Sequence, residues 1–309
     1  MQANPGIFRE YDIRGILGKD ITDELAFHIG RALGTILNRA GKTHLIVGRD
    51  CRPSGVDLSR ELMRGAQNSG LLVTDIGMVP TPLQYWAIQH LGADGGVEIT
   101  GSHNPSDYNG FKISLQGTPF YGQDIQELYK LIVSEDYIEA SGKLDEQNLV
   151  DAYIEELTTN LHAAERKLKV VIDAGNGTGG ITAQTLYKNL GHDVISLYCE
   201  PDGDFPNHHP DPTVEENLID LKTKVIEEGA DLGIAERDDR KSGFGGPGDP
   251  VGGVGCPHGP ALRGAVGGRG EEHLVPLRRI LRDGVHEDAG VLKPRDLRCG
   301  NDVRTGRRL

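Results

Sequence analysis

A chain of 309 residues is long enough for about two ordinary α/β domains, each with a core of its own. Hydrophobic and charged shares of 37% and 26% are those of a globular protein in water, and no uninterrupted apolar stretch approaches the roughly 18 residues of a membrane span. A formal net charge of −13 argues against a nucleic-acid partner, because a phosphate backbone requires a basic face.

In chain order, residues 1–9 lack the apolar core of a secretory leader, and Cys51, Cys199, Cys256 and Cys299 form no Cys-x-x-Cys pair. A reducing cytoplasm is therefore the expected compartment. The first informative segment is 8–15, Phe-Arg-Glu-Tyr-Asp-Ile-Arg-Gly, whose Arg9 and Arg14 suit bidentate contact with phosphate. An extended edge strand mixing charge and aromatics accounts for it equally well.

Apolar runs predict strands over 44–48, 71–77, 95–100, 169–174 and 193–198, with helices between them. That alternation is the pattern of α/β domains with mainly parallel sheets. Thr81-Pro82-Leu83-Gln84 predicts a helix over 81–90, with Thr81 as N-cap and Gln84 completing a capping box. Ile125, Leu128 and Ile132 give one buried face to a helix over 123–134. A first domain over 1–142 would lead, through a helical stretch at 144–161, into a second over 143–240.

Thr-Gly-Ser-His-Asn-Pro at 100–105 directly follows the strand at 95–100, where parallel sheets collect their ligands. Gly101 permits a tight backbone, and Asn104-Pro105 turns the chain away, so Ser102 is expected on an exposed, stiff loop. A hydrolase-like pairing of Ser102 with His103 is disfavoured, since neighbours on an extended loop point apart. A phosphorylated Ser102 would carry about −1.5 to −2 charges and need cations or a metal ion nearby. Arg9, Arg14, Arg49, Arg52 and Lys112 are the candidates, with solvated surface as the alternative for each.

In the second domain the turn at 175–180 follows a strand, opens a helix that Gly191 is placed to end, and matches Gly-x-Gly-x-x-Gly. Glu200 ends the next strand, as a nicotinamide dinucleotide site would require, so an NAD-linked oxidoreductase is the rival reading. Close strand-to-helix packing explains the same glycines. The loop at 201–212 packs carboxylates and histidines among prolines; it lacks the regular spacing of a calcium or zinc site and reads first as a rigid connection. Residues 230–235 read as a buried strand, and Glu236, Asp238 and Asp239 then form an acidic group where magnesium would be useful.

After residue 235 the pattern breaks. Residues 236–309 hold 16 Gly and 12 Arg but only 2 Lys. A shifted reading frame of a GC-rich gene would produce this composition, and a disordered Gly/Arg-rich segment is the plainer alternative.

Taken together, Phe8 to Gly15, Gly48-Arg49-Asp50, the segment at 100–105, Asn109-Gly110-Phe111-Lys112, Asp173-Ala174-Gly175-Asn176-Gly177, the loop at 202–212 and the strand at 230–235 resemble the α-D-phosphohexomutase superfamily. The closest branch is that of bacterial phosphomannomutase/phosphoglucomutase. The resemblance implies two α/β domains with mixed, mainly parallel sheets, followed by an irregular Gly/Arg-rich tail at 241–309 in place of a third and fourth domain. It implies that Ser102 is a phosphoserine exchanging its phosphoryl group with a hexose 1- or 6-phosphate of mannose or glucose, through a bisphosphorylated sugar. Catalytic roles fall to Ser102, His103, Lys112 and Arg14, and sugar contacts to Tyr11 and Arg9. Mg²⁺ is expected on Ser102, Asp238 and Asp239, although Glu236-Arg237-Asp238-Asp239-Arg240 stands where the family has Asp-Gly-Asp-x-Asp-Arg. Little mutase turnover is predicted for this chain. A non-catalytic sugar-phosphate-binding module remains the third reading.

Overall fold

The computed structural model describes residues 1–115, 118–161, 166–236 and the pair 262–263. The expectations for Asp238 and Asp239, and for the tail at 241–309 apart from Leu262 and Arg263, lie outside the described residues.

In the first domain the elements run β1 (Ile13–Ile16), α1 (Asp23–Arg39), β2 (His44–Arg49), α2 (Ser54–Gln67), β3 (Leu72–Met78), α3 (Thr81–His90), β4 (Gly95–Ile99), β5 (Tyr108–Leu115), β6 (Thr118–Pro119), α4 (Gln123–Ser134) and β7 (Lys143–Glu146). The sheet order is β1-β5-β4-β2-β3-β7, with β6 beside β5. β4, β2, β3 and β7 are parallel, and β5 runs antiparallel between β4 and β1. The second domain comprises α5 (Val150–Asn160), β8 (Lys169–Asp173), α6 (Gly180–Asn189), β9 (Asp193–Leu197), α7 (Ile219–Glu228), β10 (Leu232–Glu236) and β11 (Leu262–Arg263), with sheet order β11-β10-β8-β9. The architecture is thus α/β with mixed, mainly parallel sheets, as expected from the sequence.

Local chemistry explains the elements. Thr22 caps α1 by accepting from the Leu25 amide, and Asp23 and Glu24 occupy the positive first turn. Every residue of β4 and β10 is buried, which is why these strands read as continuous apolar runs rather than alternating ones. α4 buries Ile125, Leu128 and Ile132, the predicted stripe, and α6 is followed by Gly191 at φ +88°. One core fills the space between the sheet and α1, α2 and α4; a second, beneath α3, includes Ile46, Trp86 and Tyr153 together with Leu186 of α6 and Leu190 just after it. The two domains therefore share apolar packing, each fully buried aliphatic side chain contributing about 1.5–3 kcal/mol.

Two local expectations fail. Residues 144–146, read as the start of a helix over 144–161, belong instead to β7, which pairs with β3 and extends the first sheet. All four residues of β7 are exposed on the sheet's edge, so no alternating pattern betrays the strand. Thr81 is the first residue inside α3 rather than its cap, and no side chain caps that helix. Gln84 is buried, and its side-chain amide has no hydrogen-bond partner, so the capping box is not formed.

Candidate active site

The carboxyl ends of β2 and β4 lie side by side, and the chain leaving each turns toward the other. β2 continues into Asp50-Cys51-Arg52, and the Asp50 amide donates to the Ile99 carbonyl. β4 continues into Thr100-Gly101-Ser102, and the Thr100 amide donates to Gly110 of β5. Ser102 adopts φ +59°, a left-handed conformation rare for a side-chain-bearing residue, and its amide is held by Thr100 Oγ1 at 2.9 Å. This turn swings the serine back over its neighbour, placing Ser102 Oγ 2.9 Å from His103 Nδ1. The expectation that adjacent residues point apart is thereby corrected: it holds for extended backbone, and this backbone is not extended. Ser102 is also buried, 0% exposed, rather than displayed on an open loop.

Beneath the loop lies Arg52, 1% exposed. Its Nε donates to the Tyr108 carbonyl at 2.9 Å, its Nη2 to the carbonyls of Ser102 at 3.1 Å and of Asn104, and its Nη1 to Asp50 Oδ2 at 3.2 Å. The same Asp50 oxygen accepts from the Gly101 amide at 3.2 Å. Arg52, proposed from the sequence as a partner for the phosphate, is therefore committed to the backbone of the loop. Arg49 is likewise engaged, with Asp75 at 3.6 Å.

The remaining candidates occupy β1 and β5. Arg14 pairs across strands with Gly110 and forms an ion pair with Asp12. Lys112 stands opposite Glu98 of β4, and the side-chain alternation puts Arg14, Lys112 and Glu98 on one face of the sheet, away from α1 and α2. Glu98 is 0% exposed, and its carboxylate lies where a side chain on Gly48 would stand. It was overlooked in the sequence, where a carboxylate inside an apolar run was the available signal. Tyr11, 64% exposed, lies in the turn before β1 and stacks on Tyr121; Arg9 is exposed in the same turn. Neither is brought against Ser102 by any hydrogen bond described.

The second domain meets this site through the loop at 201–212. One of its two histidines, His208, places Nε2 3.0 Å from Asp173 Oδ2 and Nδ1 2.9 Å from the His209 carbonyl. Acceptors at both ring nitrogens favour the imidazolium. Burial opposes that charge most strongly, but the hydrogen bonds to Asp173 and His209 and the charges of Asp173 and Asp220 outweigh it, so the pKa is raised. Asn207 donates to Asn176 Oδ1 at 2.8 Å, and Asn176 in turn to the Glu200 carbonyl at 2.9 Å. The loop is accordingly tied to the second domain by hydrogen bonds at Asn207 and His208.

The same loop disposes of the dinucleotide reading. A Cβ on Gly175 would lie 3.0 Å from Pro210 and 3.1 Å from His208, and one on Gly180 would lie 2.1 Å from the Cys199 carbonyl. The glycines serve close packing of strand, helix and loop. No group of three His, Cys, Asp or Glu side chains able to hold a metal occurs among the described residues, nor is any helix there long and apolar enough to cross a membrane. Cys51 and Cys199 are free thiols, and burial pushes Cys199 up to about 12.

Comparison with known proteins decides the family. The model for phosphoglucomutase/phosphomannomutase, alpha/beta/alpha domain I, matches residues 5–139, and that for domain II matches 151–239. The chain belongs to the phosphoglucomutase/phosphomannomutase family. Within that family it is 46% identical over 246 residues to a phosphomannomutase/phosphoglucomutase of Pseudomonas putida, covering 80% of this chain and 51% of the relative. A phosphoglucomutase of Neisseria gonorrhoeae is 44% identical over 231 residues, 74% of this chain and 50% of that one. A crystal structure of a phosphoglucomutase/phosphomannomutase family protein from Burkholderia thailandensis superposes with TM-score 0.74 at 41% identity, over 77% of this chain and 54% of that one. The chain spans about half the length of the curated relatives it matches.

Proposed function

We propose that these two domains carry the phosphoserine chemistry of a mutase that interconverts hexose 1-phosphate and hexose 6-phosphate, of mannose or glucose. The carrying observation is Ser102 itself: a hydroxyl fixed at the carboxyl end of a parallel sheet, bonded to a histidine, on a loop whose backbone is clamped by a buried arginine. In the forward half-reaction the phosphoserine's Oγ–P bond breaks as a P–O bond forms to the sugar hydroxyl, which releases its proton, while the leaving Oγ takes one up to give neutral serine. His103, 2.9 Å from Oγ, is the group placed to give Oγ that proton and to take it back in the return. In the return, a bisphosphorylated sugar gives its other phosphoryl group to Oγ and takes the serine proton on its leaving oxygen. Such chemistry is mostly positioning and charge neutralisation. Arg14 and Lys112, on one sheet face, supply positive charge, and Tyr11 and Arg9 at the rim contact the sugar. Domain limits near 1–142 and 143–240 belong to this reading, with β7 joining the first sheet across that limit.

Mg²⁺ would polarise the transferring group. Of the ligands assigned to it, only Ser102 is among the described residues, so no step is routed through the metal. The chemistry is that of sugar phosphates in solution, in keeping with a cytoplasmic enzyme. Net turnover by this chain should be small, because the expected acidic loop is altered at residues 236–240.

Incubation with a hexose 1,6-bisphosphate, read by intact mass, tests the reading. One phosphatase-labile phosphoryl group should appear on the wild-type chain and not on Ser102→Ala. Equal labelling of the two proteins would remove Ser102 from the account, and robust magnesium-dependent conversion of mannose 1-phosphate by the wild-type chain would overturn the expectation of low turnover.

A further inference from the structure

We infer that Arg52 is a positioning residue for Ser102, and that Phe205 of the second domain holds it in place. The inference rests on the phosphoserine reading for its meaning, but its geometry stands apart from that reading. The guanidinium spends its donors on the carbonyls of Ser102, Asn104 and Tyr108 and on Asp50, which brackets the nucleophile's peptide from both sides. A planar fork with fixed donor directions enforces one loop conformation, which a lysine ammonium cannot do. The left-handed backbone of Ser102 needs such enforcement, since a side-chain-bearing residue rarely holds that conformation without support.

The guanidinium is covered from the other domain. Phe205, 5% exposed, places its ring 5.0 Å below Cζ of Arg52. Gly203 approaches so closely that a Cβ there would lie 2.6 Å from the Cys51 carbonyl and 2.7 Å from Arg52 Cα. Cys51 Sγ also reaches the Asn176 carbonyl at 3.5 Å. The contact chain thus runs from the Asn176 turn and the 201–212 loop, through Arg52, to the carbonyl of the nucleophile, and the relative placement of the domains sets the aim of Ser102.

Hydrogen–deuterium exchange on the whole chain, unphosphorylated, tests this without requiring turnover. The amides of Gly101, Ser102, Asn104 and Tyr108 are all hydrogen-bonded, and in Arg52→Lys their exchange should rise about tenfold or more while α1 and β2 stay as in the wild type. Phe205→Leu should raise it about threefold or more. The rate of Ser102 phosphorylation by a hexose 1,6-bisphosphate should fall about 100-fold in Arg52→Lys with the half-saturating concentration unchanged, the signature of misplacement rather than lost binding. Wild-type-like exchange at residues 101–108 in folded Arg52→Lys would overturn the inference; should that variant fail to fold, wild-type-like exchange in Phe205→Leu would do the same. A wild-type chain that takes no phosphoryl group would defeat the functional reading alone, with the exchange arm still deciding this one.

Discussion

Gly101→Ala is the sharpest perturbation of the nucleophile loop, because it adds one methyl group and removes nothing. A Cβ at Gly101 would stand 2.4 Å from Nε and 2.7 Å from Cζ of Arg52, and 2.7 Å from the Tyr108 carbonyl. Ordinary contact begins near 3.4 Å, so something must move by about 1 Å. The guanidinium cannot swing away, since it is buried and each of its nitrogens is hydrogen-bonded. The displacement therefore passes to the loop. Overpacking of this kind lowers stability by about 1–3 kcal/mol. A misplacement of about 1 Å at a reacting atom lowers rate about 100-fold, equivalent to about 2.7 kcal/mol of activation energy. Urea unfolding and quenched intact-mass kinetics with a hexose 1,6-bisphosphate measure the two effects separately. Gly92→Ala is the control: it has open space around it, lies at the end of α3 and sits at φ +61°, so it should lose about 1 kcal/mol of stability and no phosphorylation rate. If Gly101→Ala accepted phosphoryl groups at the wild-type rate, the claim that the Arg52 contact aims Ser102 would be refuted.

Other expectations are independent of the loop. A Cβ on Gly30 of α1 would lie 2.0 Å from the Leu62 carbonyl of α2, and one on Gly65 would lie 2.1 Å from the Phe27 carbonyl. Alanine at either gains about 1 kcal/mol of helix propensity but forces two backbones apart, so urea unfolding should show a net loss of about 1–2 kcal/mol; a gain would show that the helices do not cross this closely. Leu186→Ala, in the core shared by both domains, should lose about 2–5 kcal/mol and also lower the unfolding midpoint reported by Trp86, the chain's one tryptophan. An unmoved Trp86 transition would mean the domains unfold independently. His208→Gln tests the partly buried His208–Asp173 pair by its pH dependence. The folded-state pKa lies above the free value of 6.5, so the pair's contribution is full below 6.5 and fades as pH rises through the raised value. The stability gap between wild type and His208→Gln should therefore be widest in acid and narrow in alkali; the opposite trend would mean that His208 is neutral in the folded protein.

What the sequence revealed and what it hid divide along a physical line. Continuous apolar runs at Gly95–Ile99, Lys169–Asp173 and Leu232–Glu236 announced buried parallel strands, because a strand covered on both faces has no polar side to show. The other strands were harder: Ile13–Ile16 could be read as edge strand or phosphate-binding segment, the interior strand Tyr108–Leu115 carries an asparagine and a lysine, and the edge strand Lys143–Glu146 is exposed throughout. The loop around Ser102 was legible by its glycine, its proline and its place after a strand. Its working geometry was not, since nothing local signals that a serine will adopt φ +59°. That conformation is maintained by a residue 50 positions away, Arg52, which sequence reading recognised as a cation without seeing that its donors would face carbonyls. His208 and Asp173, 35 positions apart, show the same limit. Hydrophobic burial is written along the chain as a period, whereas a buried polar group takes whichever partner the finished fold delivers to it. The residues that aim a nucleophile therefore become visible only once the strands that carry them have been laid side by side.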